Sequence, residues 1–186
     1  MLGFNQPNLH GMHRWQASLW RRDEGPYRSW LKTQGSLTRR LQRRCRRFRV
    51  EPLRTSLTPA LSDEGWLGAR RRLWAREVLL RCDERPVVFA RSLTPYRPRH
   101  RLDRLLRGLG SRALGSVLFS DPRFERELPY FRRIDARDAL YRRVAFHLRS
   151  AAPAVELPPQ LWARRARYRL SGKALWVMEV FLPAVV

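Results

Sequence analysis

The sequence predicts a single mixed domain in which two β-hairpins are separated by helical stretches. Three observations lead there. RLWAREVLLRCDERPVVFARSLTP holds two runs of β-branched and large apolar residues around the turn-forming DERP. RRARYRLSGKALWVMEVFLPA repeats that design around SGK, residues 171–173. The chain has 186 residues, 44% of them hydrophobic, a length at which one domain buries roughly 70% of the surface of the unfolded chain. It should fold alone.

Taken in order, the first thirty residues are polar with scattered tryptophans. PYRSWLKTQGSLTRRLQRRCRRF then reads as helical, with Ser36 as cap and Leu37, Leu41 and Cys45 at four-residue spacing. The arginines at 43, 44, 46 and 47 fit a solvated face better than a phosphate grip. FRVEPLRTSL is a strand, and TPALSDEGWLGAR is a polar connection. In the first hairpin, Trp74, Arg76, Val78 and Leu80 share the face expected inside, and Ala75, Glu77, Leu79 and Arg81 share the other. HRLDRLLRGLGSRALGSVLF predicts a helix over Leu102 to Leu106, ended by Gly108 and Gly110, and a second short helix from Ser111. The two-glycine break is either a helix cap, or a lid or main-chain ligand contact. A helix over Ala136 to Arg149 and a proline-rich link lead to the last hairpin, where Ala166, Tyr168 and Leu170 alternate with Arg165, Arg167 and Arg169. Its return strand is apolar on both sides and is expected to be covered on both faces.

The net charge is +23, carried by 37 arginines and only two lysines, Lys32 and Lys173. Such a field suits nucleic acid or a small dianion equally. No helix-turn-helix, finger or stacking-sheet motif accompanies it, so no specific nucleic-acid partner is expected. No stretch reaches the ~18 apolar residues of a membrane span, and the N-terminus lacks the order of a signal peptide. The chain is therefore expected to be cytoplasmic, with Cys45 and Cys82 as reduced thiols.

Each hairpin carries one charged residue in an apolar setting, Arg76 in the first and Glu179 in the second. Ionised side chains are almost never buried alone. One reading joins the two as a buried ion pair, or bonds the glutamate to a backbone amide. The other has them flank a cavity, with Arg76 taking an anionic group and Glu179 a hydroxyl or a proton. The pattern leaves both open.

WAREVLLRCDERPVVFARSLTP, LGSRALGSVLF and LWARRARYRLSGKALWVMEVFLPA resemble, in order and in most spacings, three signature blocks of the bacterial chorismate pyruvate-lyase family of ubiquinone biosynthesis. SWLKTQGSLTRRL is similar to that family's N-terminal block. The resemblance covers residues ~29 to 183, with an expanded stretch between Pro122 and Pro159, and sets 1–28 apart as an N-terminal extension to a 29–186 domain. It implies an α+β fold: a six-stranded antiparallel sheet with helices on one side and helical flaps closing over an internal ligand cavity. Carried over by position, the family's ligand-binding arginine falls on Arg76, its glutamate on Glu179 and its lid leucine on Leu114. Leu37 stands where the family's best-known form has methionine, and Arg91 matches a further cavity arginine.

The implied reaction converts chorismate to 4-hydroxybenzoate and pyruvate, with no cofactor and no metal, in a protein expected to be a monomer. A planar guanidinium suits bidentate pairing of Arg76 with the ring carboxylate. Glu179 is expected to bond the ring hydroxyl, Arg91 to take the enolpyruvyl carboxylate, and amides near Leu37 and Leu114 to complete the enclosure. Cleavage is expected to be concerted, or to use Glu179 as an acid or base whose pKa its apolar strand raises. Two other classes remain: a non-catalytic effector-binding domain of this fold, which normally follows a DNA-binding helix-turn-helix, and a basic nucleic-acid binder resting on charge alone.

Overall fold

A computed structural model describes residues 15–19, 22–67, 72–96 and 100–186. Among the described residues, five α-helices and seven strands follow in the order α1 (Arg28–Leu31), α2 (Leu37–Arg44), β1 (Phe48–Thr58), β2 (Leu73–Cys82), β3 (Arg85–Pro95), α3 (Arg101–Gly108), α4 (Leu114–Ser120), β4 (Glu125–Arg126), β5 (Tyr130–Asp135), α5 (Ala139–Ala151), β6 (Gln160–Leu170) and β7 (Lys173–Phe181).

The strands form one antiparallel sheet in the order β1-β2-β3-β7-β6-β4, with β5 also on β6. β4 pairs with residues 168–169 of β6 and β5 with residues 160–165, so both occupy the same edge in tandem. The expected six strands are thus six positions filled by seven strands. β5 escaped the sequence reading because two arginines, Arg132 and Arg133, interrupt its apolar alternation. Arg132 is nevertheless buried, paired with Asp138 and set over the Trp15 ring. Asp138 also accepts from the Asp135 amide, closing a turn. That turn delays α5 to Ala139, three residues past the expected start.

Both expected hairpins form, and their two-residue turns, Asp83–Glu84 and Ser171–Gly172, have positive φ at both residues, the geometry that matches the twist of paired strands. Ser36 caps α2 by accepting from the Arg39 amide.

The two-residue period of the strands divides the core between the two faces of the sheet. Ala75, Leu79, Phe89, Leu93, Met178 and Val180 pack under α5 through Leu140, Val144 and Leu148. On the other face, Val78, Leu80, Val88, Ala90 and Phe181 meet α1 and α2. Ala166, Tyr168, Leu175 and Val177 meet α3 and α4 beside them. One helix therefore covers one face, and the flap helices cover the other. β2 is buried on both faces, not only on the side of Trp74 and Arg76.

One further expectation changes. Cys45 and Cys82 are not free thiols but a disulfide, with Cα atoms 5.2 Å apart. The register places Phe48 opposite Cys82, and the chain leaving α2 brings Cys45 alongside. Of the stretch set apart as an extension, Trp15 is in the core and Gln16 bridges to Phe131. Residues 1–14 and 20–21 of it lie outside the described residues.

Candidate active site

Between the sheet and its flap helices lies a partly enclosed cavity. β1, β2, β3, β7 and β6 supply its floor, and the start of α2 together with α4 supplies its roof. The lining is mainly aliphatic, so the few polar groups stand out.

Arg76 rises from β2 and is 2% exposed. Its Nη2 donates to the carbonyls of Gly110 (2.9 Å) and Arg112 (2.8 Å), both in the link between α3 and α4. Gly110 has φ +51, which glycine adopts without strain. The Nε of Arg76 is buried without a partner, and no carboxylate pairs with this guanidinium among the described residues. Burial pulls its pKa down to about 10, which leaves it protonated at neutral pH. The two-glycine break thus caps α3 and also brings main-chain oxygens to the cavity arginine.

Glu179 stands on β7, opposite Ala90 of β3 and Arg164 of β6. It does not pair with Arg76. Arg164 donates its Nε (2.7 Å) to the carboxylate oxygen Oε2, and its Nη2 lies 2.6 Å from the same oxygen as an ion pair. Oε1 has no hydrogen-bond partner among the described residues. The pair excludes the reading that joined the two hairpin charges, and Arg76 and Glu179 instead occupy different parts of one lining. Two strand spacings across and two residues along put their Cα atoms roughly 12 Å apart.

Tyr168 joins the lining from β6. Burial first, and then the charge of Glu179, push its phenol up to about 12, so it is a neutral hydroxyl at neutral pH. In the roof, Leu37 and Leu114 are the first residues of α2 and α4, where amides have no intrahelical acceptor. The two helices approach closely at Gly115: a Cβ there would come within 3.0 Å of both Ser36 Oγ and Thr38 Oγ1.

Of the five residues singled out in the sequence, Arg76, Glu179, Leu37 and Leu114 line this cavity. Arg91 does not, and its assignment to a substrate carboxylate is corrected. In β3 the lining residues are Ala90 and Ser92, and the two-residue period turns Arg91 between them to the opposite face. There it donates to Glu64 (2.8 and 3.1 Å) and to Glu77. Arg143 and His147 of α5 also bond Glu77. Burial alone would raise the pKa of Glu77, but the hydrogen bonds from His147 and Arg143 and the charge of Arg91 hold it near 2. Sequence reasoning also missed Arg164. The signal was present, because Arg164 extends the buried alternation of Ala166, Tyr168 and Leu170 by one step.

An α+β domain that encloses a small cavity, with one uncompensated guanidinium and one half-engaged carboxylate, is a receptor or enzyme for a small organic anion. Comparison with known proteins separates the two. The model of the family described as chorismate lyase matches residues 16–186, and the chain belongs to that family. It is 47% identical over 178 residues to a probable chorismate pyruvate-lyase of Azoarcus sp. (strain BH72), covering 92% of each chain. A probable chorismate pyruvate-lyase of Dechloromonas aromatica (strain RCB) is 44% identical over 91% of this chain and 97% of its own. Among solved structures, the C-terminal domain of the histidine utilization repressor from Pseudomonas syringae pv. tomato str. DC3000 shares the fold. Its TM-score is 0.51 at 13% identity, over 75% of this chain and 94% of that one. Family membership makes the chain a carbon–oxygen lyase.

Proposed function

We propose that this protein is a chorismate pyruvate-lyase that forms 4-hydroxybenzoate, the aromatic precursor of ubiquinone, as a cytoplasmic monomer. The observation that carries the reading is the cavity itself. One lining holds a buried guanidinium with no carboxylate partner, Arg76, and a carboxylate with one oxygen unbonded, Glu179. A ring bearing a carboxylate and a para hydroxyl fits those two groups. Arg76 takes the ring carboxylate, and Oε1 of Glu179 accepts the ring hydroxyl. With Arg91 on the other face, the enolpyruvyl carboxylate is left to the hydroxyls of Thr38 and Ser92 and to the amides that open α2 and α4.

Chemistry then asks little of the protein beyond holding one conformer. The ether C–O bond breaks, the ring hydrogen beside the hydroxyl passes to the enol methylene to give the methyl group of pyruvate, and the ring becomes aromatic. Fixing the enolpyruvyl arm over that hydrogen can supply ~7 to 11 kcal/mol of barrier reduction. Closure of the roof excludes water from the reacting face. The competing route uses the Glu179 carboxylate as a proton carrier.

Glu179→Gln separates the two routes, because the amide keeps a hydrogen bond to the hydroxyl but cannot carry the proton. Positioning predicts that pyruvate release from chorismate falls by about tenfold or less. A loss of a thousandfold or more would assign the carboxylate acid–base work. No pyruvate from the unaltered protein would overturn the proposed function altogether.

A further inference from the structure

Arg164 is the most fully engaged side chain at the cavity. It is 2% exposed, and each of its three nitrogens is committed. Nε and Nη2 hold Oε2 of Glu179 at 2.7 and 2.6 Å. Nη1 donates to the carbonyls of Leu31 (3.1 Å) and Thr33 (2.9 Å), with Trp30 at 3.5 Å. Those carbonyls belong to the end of α1 and the turn after it, where helical C=O groups lack intrahelical donors. The same short segment runs on to Gly35, Leu37 and Thr38 in the roof.

We propose that Arg164 is a positioning residue for the lyase reaction: it fixes the rotamer of Glu179 so that Oε1 faces the substrate hydroxyl, and it ties that carboxylate to the roof. The proposal rests on the reading of this cavity as the chorismate site. Three features carry it. Register sets Arg164 directly across from Glu179 on the neighbouring strand, so the pair forms without adjustment of the backbone. Both of its contacts with the carboxylate, the Nε hydrogen bond and the Nη2 ion pair, are to one oxygen, which withdraws Oε2 from substrate and leaves Oε1 for it. Its remaining nitrogen is spent on main-chain oxygens, so it is not the group that receives a substrate carboxylate; Arg76, with its partnerless Nε, is. A lysine keeps the charge but cannot reach the carboxylate and the carbonyls together, since it lacks the planar fork.

The test compares two ligands that differ only by the hydroxyl. In the unaltered protein, 4-hydroxybenzoate should bind roughly tenfold more tightly than benzoate, the worth of a hydrogen bond to a charged acceptor. Arg164→Lys should erase most of that preference while leaving benzoate affinity within about threefold, and kcat for chorismate should fall more than KM rises. Arg164→Gln combined with Glu179→Gln, which removes both charges and leaves neither buried alone, should lose most of the preference, beyond the part lost in Glu179→Gln alone, where Arg164 still holds the amide in place. Equal weakening of both ligands, or an intact preference in Arg164→Lys, would overturn the positioning role. Failure of the unaltered protein to bind 4-hydroxybenzoate or to turn over chorismate would instead overturn the functional reading beneath it.

Discussion

Arg76 and Arg91 have the same chemistry, similar burial and neighbouring strands, yet only one of them can serve a ligand. Arg91 is enclosed by Glu64 and Glu77, while Arg76 meets two carbonyls and keeps a buried Nε unused. On the reading proposed above, the Arg76 guanidinium, held without a counter-charge in an aliphatic setting, takes the substrate's anion. Arg76→Ala should weaken 4-hydroxybenzoate binding by roughly a hundredfold, read by titration; an unchanged affinity would remove it from the site. This contrast was partly legible in the sequence. Alternation put Arg76 and Glu179 in apolar surroundings, and the family resemblance turned an even choice toward a cavity. The same alternation, applied to Arg91 between Ala90 and Ser92, would have turned it away from the cavity. Applied one step before Ala166, it would have found Arg164. What no local pattern contains is which charge pairs with which, because Arg164 and Glu179 are joined by the register between β6 and β7.

At the scale of elements, turns and strongly periodic segments were readable because their signals are local: both hairpins, the cap at Ser36 and the glycines that end α3. β5 was not readable, since Arg132 reaches its buried place only through Asp138 and the Trp15 ring. Two junctions between elements carry measurable stability. The disulfide ties the end of α2, whose first turn roofs the cavity, to the end of β2, across 37 residues. Closing a loop of that length is worth about 4 kcal/mol in the chain-entropy account. Replacing Cys45 and Cys82 together by serine should therefore lower the unfolding free energy by that order in urea titrations under oxidising conditions, and reductant should have no further effect on the variant. The second junction is Glu77 on the face away from the cavity, where Arg91 from β3 and Arg143 and His147 from α5 converge. Its folded pKa, near 2, lies below the ordinary value of 4.5. Its stabilisation is thus fully present above about 4.5 and is lost as the pH falls toward 2. Glu77 alone should contribute on the order of 3 kcal/mol to the acid limb of the stability curve. Denaturation at pH 3 and pH 6 checks it: Glu77→Gln should be much less stable than the unaltered protein at pH 6, with the gap narrowing at pH 3.

Across the whole molecule, most described arginines are exposed and supply the +23 field, while a part of them is structural material. Arginines lie over tryptophan rings at Trp30 (Arg40, 3.9 Å), Trp15 (Arg165, 4.8 Å) and Trp162 (Arg133, 4.9 Å). Others bond buried carboxylates, and Arg44 and Arg81 bond main-chain carbonyls. Such stacking and forked bonding require arginine rather than lysine, which gives the lopsided composition a use within the fold. The cavity these elements enclose is roofed by segments of the same chain, and its charges balance in a telling way. Arg76, Arg164 and Glu179 sum to a single positive charge, a match for a monoanionic product rather than a dianionic substrate. Product should therefore leave slowly, with opening of the roof limiting turnover. The measurement that tests the account most directly is rapid mixing of the protein with excess chorismate, with pyruvate and 4-hydroxybenzoate followed through the first turnover. The account predicts equal amounts of the two products, formed in a burst of about one equivalent per chain and followed by a slower steady rate. Absence of both products, or a first turnover no faster than the steady state, would contradict it.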